Sequence, residues 1–348
     1  MSDRPPPDPA LGTQSVATYA AMTLHVFLAA GTYVFGKSAS HGVADPAALT
    51  LLRGLGASVL CLSLTGSVIP RPRFSKREWI EVALLGVLLV PMNQYLFIAG
   101  LKDTVASHPA LIYAMTPVGV LALGAFVDRR APPRLWLLGT ALALAGVLVV
   151  LEPWSDDKAL VAVRGGDFLI LIGLLVWVVY TVWVSRLAKR CDPRTVTVWT
   201  LVLGTLVFIP VGAEPLFRVQ FDALSSQTWF GIAWLSVITS TVMMLLWNQM
   251  LRRLAPVQVA VCANAQPAAT ALLGSVLAMA GVVSHDPGLT STFWIGTLLV
   301  IAGVFAVQWR RPKGPTAPSV PSSRAASLAP ARGVPEAGSR DRPSQVRP

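Results

Sequence analysis

Residues 139–150 read GTALALAGVLVV, and residues 296–307 read GTLLVIAGVFAV. Seven of the twelve positions are identical, including both glycines of each stretch and the Ala-Gly-Val run that holds the second one. Each stretch closes a long apolar part of the chain. The recurrence therefore suggests that the chain contains two copies of one helical unit, and the rest of the sequence can be examined for the same period.

The composition places the chain in a membrane. Of its 348 residues, 54% are hydrophobic and 13% are charged, whereas soluble domains carry about 25% charged residues. The net charge of +11 does not indicate nucleic-acid binding, because the charges fall in short loops and a tail and do not form one basic face. We therefore expect an integral membrane protein with the lipid bilayer as its surroundings and no nucleic-acid partner.

The two ends of the chain and its cysteines carry no functional motif. Residues 1–16 are polar and rich in proline, lack the pattern of a signal peptide, and are predicted to be a disordered cytoplasmic leader. Residues 311–348 have little to bury and are predicted to be a disordered cytoplasmic tail. Cys61, Cys191 and Cys262 lack metal or disulfide spacing, so we predict neither a metal nor a cofactor.

Long apolar segments fill the region between the two ends. A membrane-spanning helix needs about 20 mostly apolar residues, and the sequence predicts ten such helices. They cover residues 17–36, 46–68, 79–100, 105–127, 134–152, 168–186, 195–213, 229–250, 256–281 and 292–309.

The basic residues alternate between the two sides of the predicted bundle. They gather in the leader, in every second loop and in the tail, while the remaining loops hold only Lys37, Lys102, Lys158, Arg164 and Arg218. Loops rich in Lys and Arg stay in the cytoplasm. The pattern predicts a multi-pass protein of the cell (inner) membrane with both termini in the cytoplasm.

The opening repeat extends over both halves of the chain. At an offset of 150 residues Pro117 falls on Pro267, and the offset reaches 157 at the opening stretch because of an insertion around residues 284–290. The predicted units are a first five-helix repeat, an outside linker and a second five-helix repeat, at residues 17–152, 153–167 and 168–310. Five is an odd number, so the second repeat enters the membrane from the opposite side. The predicted fold class is all-α, with ten transmembrane helices as two inverted five-helix repeats, typical of secondary transporters.

These features resemble a known family. The five-plus-five layout, Pro117 and Pro267, Arg53 within PAALTLLRGLGAS, and the pattern G-T-x-L-x-x-A-G-V are similar to the EamA-type family of the drug/metabolite transporter superfamily. The resemblance covers about residues 17–310. It implies a carrier of small metabolites such as amino acids or related polar compounds, often working outward.

Polar residues recur at matching positions of the two repeats. His108 and Thr116 in the fourth predicted helix correspond to Gln258 and Gln266 in the ninth. Eight residues bring an α-helix back to within about 80° of its starting direction, so each pair would share one broad face. The two faces could line a substrate cavity, or they could make hydrogen bonds that hold helices together.

Five more residues are candidates for the same cavity. Asn93 and Gln94 lie inside the third predicted helix, and Tyr113 and Asn264 precede the two repeat prolines. Arg53 is the basic residue deep within a span, where it could stabilise the bundle or attract an anionic substrate group. The eighth predicted helix adds the polar run Trp247, Asn248 and Gln249, for which an interfacial position is the alternative because the run is close to the cytoplasmic end.

The predicted function is transport. No Asp or Glu falls in the middle of a predicted helix, so a carboxylate proton relay has little support, although His25 and His108 keep proton coupling open beside exchange and facilitated diffusion. The sequence lacks the common enzyme motifs, and an enzyme is not predicted. We expect a secondary transporter, an exporter of small metabolites working by alternating access as a monomer or homodimer. The alternative is a membrane receptor or scaffold without transport activity.

Overall fold

The computed structural model describes residues 9–127, 129, 134–151, 158–282 and 291–309, and they form helices joined by short connections. The α-helices of the first half are α1 (Pro9–Gly42), α2 (Pro46–Ser63), α3 (Lys76–Val87), α4 (Tyr95–Asp103), α5 (Ser107–Tyr113), α6 (Thr116–Val127) and α7 (Arg134–Leu151).

The second half repeats this order. Its α-helices are α8 (Lys158–Leu187), α9 (Pro193–Phe217), α10 (Ser226–Ala233), α11 (Met244–Arg253), α12 (Pro256–Ala260), α13 (Gln266–Met279) and α14 (Ser291–Trp309). A π-helical segment joins α3 to α4 (Leu88–Gln94) and another joins α10 to α11 (Trp234–Met243). Short 3₁₀ segments lie at Phe221–Ala223 and Val261–Ala265. The two-repeat architecture predicted from the sequence fits this order.

The chain is a multi-pass membrane protein. Within the described residues, seven helices or continuous helical runs are long and apolar enough to cross a bilayer, and two shorter apolar helices cover Leu137–Gly146 and Ser291–Gly303. No β-strand occurs in the described ranges, so the all-helical class is confirmed there. The predicted number of ten transmembrane helices stays a prediction.

Two predicted boundaries differ from the structure. The first helix begins at Pro9, within the segment predicted to be a disordered leader, and α8 begins at Lys158, within the predicted linker. Both stretches consist mainly of residues that tolerate a helix, and proline is favoured at a first helical position. Residues 1–8, the insertion at 284–290 and the tail at 311–348 lie outside the described residues.

The second helix of each half begins in the same way. Asp45 and Asp192 are the N-cap residues of α2 and α9, and each is followed by a proline. Their carboxylates accept hydrogen bonds from the first free backbone N–H groups, which have no partner inside the helix. One turn later the hydroxyl groups of Thr50 and Thr197 donate to the carbonyl oxygens of those prolines. The local structure is therefore duplicated along with the sequence.

We expect the cap at Asp192 to make stability depend on pH. Burial raises the Asp192 pKa, but hydrogen bonds from the Arg194 side chain and from the N–H groups of Thr195 and Arg194 outweigh burial and hold the pKa below 3.8. A lowered folded-state pKa stabilises the protein above the unfolded value, and this contribution disappears as the pH falls through the folded value.

The measurement is unfolding in detergent micelles between pH 7 and pH 3. Asp192→Ala should lower the free energy of unfolding by about 1 kcal/mol at pH 7, and the loss should shrink toward pH 3. Asp192→Asn is the control, because asparagine caps about as well as aspartate without titrating. An Ala variant as stable as the wild type at pH 7 would show that the cap is unimportant.

The repeated glycine stretches lie in α7 and α14 and pack against each other. A Cβ atom added at Gly146 would lie 2.6 Å from the carbonyl oxygen of Gly296, and one added at Gly303 would meet the carbonyl oxygen of Gly139. The earlier glycine of one helix thus faces the later glycine of the other, which makes the pair antiparallel. Small residues allow such close approach of helices in lipid. The closing helices of the two halves are therefore copies that run in opposite directions.

Candidate functional site

A central cavity lies where the two halves meet. Its volume is about 100 Å³, several times the space that one water molecule requires. It is lined by residues of both halves, which are His25, Ala29, Thr32, Tyr33, Arg53, Leu89, Asn93, Gln94, Phe97, Tyr113, Thr116, Trp177, Thr239, Met243, Met244, Trp247, Ala263 and Gln266. The cavity is mainly apolar and aromatic, with a small set of polar groups, as ligand sites generally are.

The π-helical segments bring polar side chains to the cavity. Asn93 and Gln94 come from the segment at Leu88–Gln94, and Thr239 comes from the segment at Trp234–Met243. A π-helical turn has one extra residue per hydrogen-bonded turn, which shifts the side chains after it, and such turns are frequent at functional sites. Pro91 lies inside the first segment and lacks the N–H that a regular helix would use.

Breaks in the fourth helical region of each half also shape the cavity. The first half is interrupted at residues 114–115, between α5 and α6, and the second half by the 3₁₀ segment at Val261–Ala265. Pro117 and Pro267 are each the second residue of the helix that follows, where proline is tolerated because that N–H has no helical partner. The prolines therefore begin new helices, and the breaks just before them lie beside the cavity.

Hydrogen bonds join the two halves around the cavity. The hydroxyl group of Tyr33 donates to Gln266 Oε1 over 2.8 Å. Asn93 Nδ2 donates to the carbonyl oxygen of Gly173 over 2.8 Å and to the Tyr113 hydroxyl over 2.9 Å. Two of these bonds connect the first half to the second. The polar lining is thus also part of the contact between the repeats.

Three residues expected in the cavity lie elsewhere. His108 is buried on α5 against Asp167, Gln258 is exposed and caps α12 by accepting from the N–H of Ala255, and Asn264 is half-buried in the 3₁₀ segment without lining the cavity. The expectation assumed one continuous α-helix from His108 to Thr116 and from Gln258 to Gln266. Because both regions are interrupted, the residues before each break point in another direction from those after it.

The structure brings the other candidates together. Arg53, Asn93, Gln94, Tyr113, Thr116 and Gln266 all line the cavity.

Sequence reasoning missed several aromatic residues of the cavity wall. Trp247 is buried and its ring centroid lies 5.2 Å from those of His25 and Trp177. Its neighbour Asn248 is also fully buried and donates to Tyr180 and Thr197, so Trp247 and Asn248 lie inside the bundle and not at the membrane interface. One feature of the sequence pointed to this wall: His25, a histidine within the first predicted span, packs against Trp247.

A buried polar cluster closes one end of the bundle, on the side where α4 ends and α8 begins. Asp167 on α8 is fully buried, its Oδ2 lies 2.8 Å from His108 Nδ1, and its Oδ1 accepts from the Thr104 hydroxyl. Nearby, Lys37 Nζ donates to the carbonyl oxygens of Leu101 and Lys102. These bonds tie α1, α4, α5 and α8 together at this end, which we call the closed end.

Among the described residues, the opposite end lacks a counterpart of this polar cluster. In the second repeat Leu254 and Gln258 correspond to Thr104 and His108, and they are half-buried and exposed respectively. At the closed end a Cβ atom added at Gly100 would lie 2.5 Å from the carbonyl oxygen of Gly166, so α4 and α8 touch through their backbones. The polar cluster is therefore not duplicated in the second repeat, although other hydrogen bonds, from Arg190 to Glu81 and from the Thr195 hydroxyl to the carbonyl oxygen of Pro70, join elements at the opposite end.

Comparison with known proteins decides the family. The model of the EamA-like transporter family matches residues 17–152 and again residues 164–309. The chain belongs to the EamA-like transporter family. The two matches correspond to the two halves described above, and this is a family of membrane transporters.

Curated relatives carry transporter names. An uncharacterized transporter of Archaeoglobus fulgidus is 27% identical over 83% of this chain and 96% of its own length. The uncharacterized transporter YyaM of Bacillus subtilis is 25% identical over 72% of this chain and 80% of its own. A riboflavin transporter of Rhizobium johnstonii is 32% identical over 35% of this chain and 39% of its own.

The fold also has a solved counterpart. One crystal structure superposes with a TM-score of 0.56 at 18% sequence identity, covering 83% of this chain and 97% of that chain. At this identity the likeness concerns the fold alone.

Proposed function

We propose that the protein is a secondary transporter that moves small polar metabolites through the central cavity by alternating access. The observation that carries the proposal is the cavity itself, because its polar lining comes from both repeats and its walls are the contact between them. Two half-bundles related by an inverted repeat can rock against each other around such a site. Arg53, Asn93, Gln94, Tyr113, Thr116 and Gln266 are the proposed substrate-binding residues.

The unequal ends support a transport cycle. The hydrogen bonds of Asp167 with His108 and Thr104 hold one end shut, while the corresponding residues of the other repeat remain accessible. We assign the cavity's access to the end opposite Asp167. With both termini in the cytoplasm, as the basic loops favour, the closed end faces outward and the cavity opens to the cytoplasm, as an exporter requires for loading.

The walls of the cavity support the proposed substrate class. Amino acids and related polar metabolites combine hydrogen-bonding groups with an apolar body, which suits polar residues set among aromatic ones. The partly similar chain of Rhizobium johnstonii is named a riboflavin transporter, which is compatible with this class.

The experiment is export from proteoliposomes. Purified protein is reconstituted into liposomes loaded with a mixture of amino acids, nucleosides, sugars and riboflavin, and the outside solution is followed by mass spectrometry. We expect at least one class of solute to leave faster than from protein-free liposomes. Identical release of every solute from both preparations would overturn the proposal.

A further inference from the structure

The central cavity is lined by a buried cation, Arg53, whose hydrogen-bond donors the protein satisfies only in part. Arg53 is 2% exposed, and its Nε and Nη2 atoms donate to the single oxygen Ser240 Oγ over 3.1 and 3.0 Å. A guanidinium group carries five N–H donors. Three of them therefore have no acceptor among the described residues, and the side chain lines the cavity.

No carboxylate balances this charge within the described ranges. None of the ion pairs there involves Arg53, and the buried carboxylate of Asp167 is already paired with His108 and Thr104. A buried charge without a counterion is costly in a protein and more so at membrane depth. The cost falls when an anion enters the cavity, because the Nη1 and Nη2 edge of a guanidinium can hold a carboxylate through two hydrogen bonds.

The walls beside this charge are aromatic. His25, Trp177 and Trp247 form a continuous group with ring centroids 5.2 Å apart in each neighbouring pair. The wall thus offers a flat apolar surface.

We infer that the substrates of this cavity are organic anions with a flat apolar body, whose carboxylate or similar acid group pairs with Arg53. The inference rests on the proposed transport function and narrows its substrate class. The anion neutralises Arg53, and the body of the molecule lies against Trp177 and Trp247. Uncharged molecules of the same shape gain only the contact with Trp177 and Trp247.

The test compares two probes that share a ring system and differ in charge. Binding of indole-3-acetate and of indole-3-acetamide to the full-length protein in lipid nanodiscs is measured by calorimetry. We expect the anion to bind at least about tenfold more tightly, the effect of one charge-assisted contact. Arg53→Gln should abolish the difference and Arg53→Lys should keep part of it. Arg218→Gln, the same change at an exposed arginine, should leave it unchanged.

Two outcomes overturn the inference. In the first, the wild-type protein binds both probes equally or binds neither. In the second, the Arg53→Gln variant still prefers indole-3-acetate over indole-3-acetamide. If Arg53→Gln fails to fold, the comparison of the two probes with the wild-type protein and with Arg53→Lys still shows whether Arg53 gives the preference for the anion. The proteoliposome assay separates this inference from the proposed function. Export of neutral metabolites without preference for indole-3-acetate overturns the inference and leaves transport standing. Selective binding of indole-3-acetate with no flux of any solute supports the anion site and counts against transport.

Discussion

Ala263→Phe abolishes transport while the protein stays folded. Ala263 is buried, lies in the 3₁₀ segment before α13 and contributes its methyl group to the wall of the central cavity. A phenyl ring at this buried lining position is expected to extend into the cavity and to take the place of the substrate. We expect export from proteoliposomes to fall by about two orders of magnitude, since an occluded site loses the binding energy on which transport depends.

The control is the same substitution outside the cavity. Ala145 is exposed on α7, so Ala145→Phe adds the same ring to a surface that faces away from the bundle and should leave export unchanged. Melting temperatures of both variants show whether they fold. A folded Ala263→Phe variant with normal export would mean that the substrate takes another path.

Gly86→Leu should destabilise the fold more than any cavity substitution. Gly86 on α3 lies against α9, and a Cβ atom added there would lie 2.8 Å from both the backbone nitrogen of Gly204 and the carbonyl oxygen of Thr200. These neighbours are backbone atoms, which cannot move aside as a side chain can. Overpacking of a core typically costs 1–3 kcal/mol, and separating two helix backbones should cost about 3 kcal/mol or more.

The chain offers a matched glycine for comparison. A Cβ atom at Gly124 on α6 would have no heavy atom within 4 Å, so Gly124→Leu should change stability little. Unfolding of both variants in mixed detergent micelles gives the free-energy difference. Equal stability of the two leucine variants would show that α3 and α9 do not rely on close contact.

The sequence predicts the overall architecture because the fold was duplicated. The glycines of the two opening stretches recur because each pair allows α7 and α14 to approach, and the Asp-Pro pairs at 45–46 and 192–193 recur because each begins a helix. Such features are local or periodic, so they can be read without the structure.

The cavity was harder to predict, because helical spacing assumes an unbroken helix. Thr116 and Gln266 follow the breaks and line the cavity, whereas His108 and Gln258 precede them and do not. The sequence alone does not show whether a proline bends a helix or begins a new one. Asp167 likewise fell in a predicted linker, so its contact with His108, made by residues far apart in the chain, could not be foreseen.

Alternating access requires that the two ends of the bundle open in turn. Spin labels on a cysteine-free background can follow the opening of each end. One pair of labels is placed at Asp103 and Gly165, beside the closed end, and another at Ala20 and Arg253, at the opposite end. All four positions are exposed. In nanodiscs, dipolar line broadening follows the close pair at Asp103 and Gly165 and double electron–electron resonance follows the other pair, without solute and with the metabolite mixture used for export.

We expect two distance populations for each pair, with the closed-end pair lengthening as the other shortens when solute is added. A single distance at both ends, unchanged by every solute that the protein exports, would mean that the halves do not rock and that the cavity is not a site of alternating access.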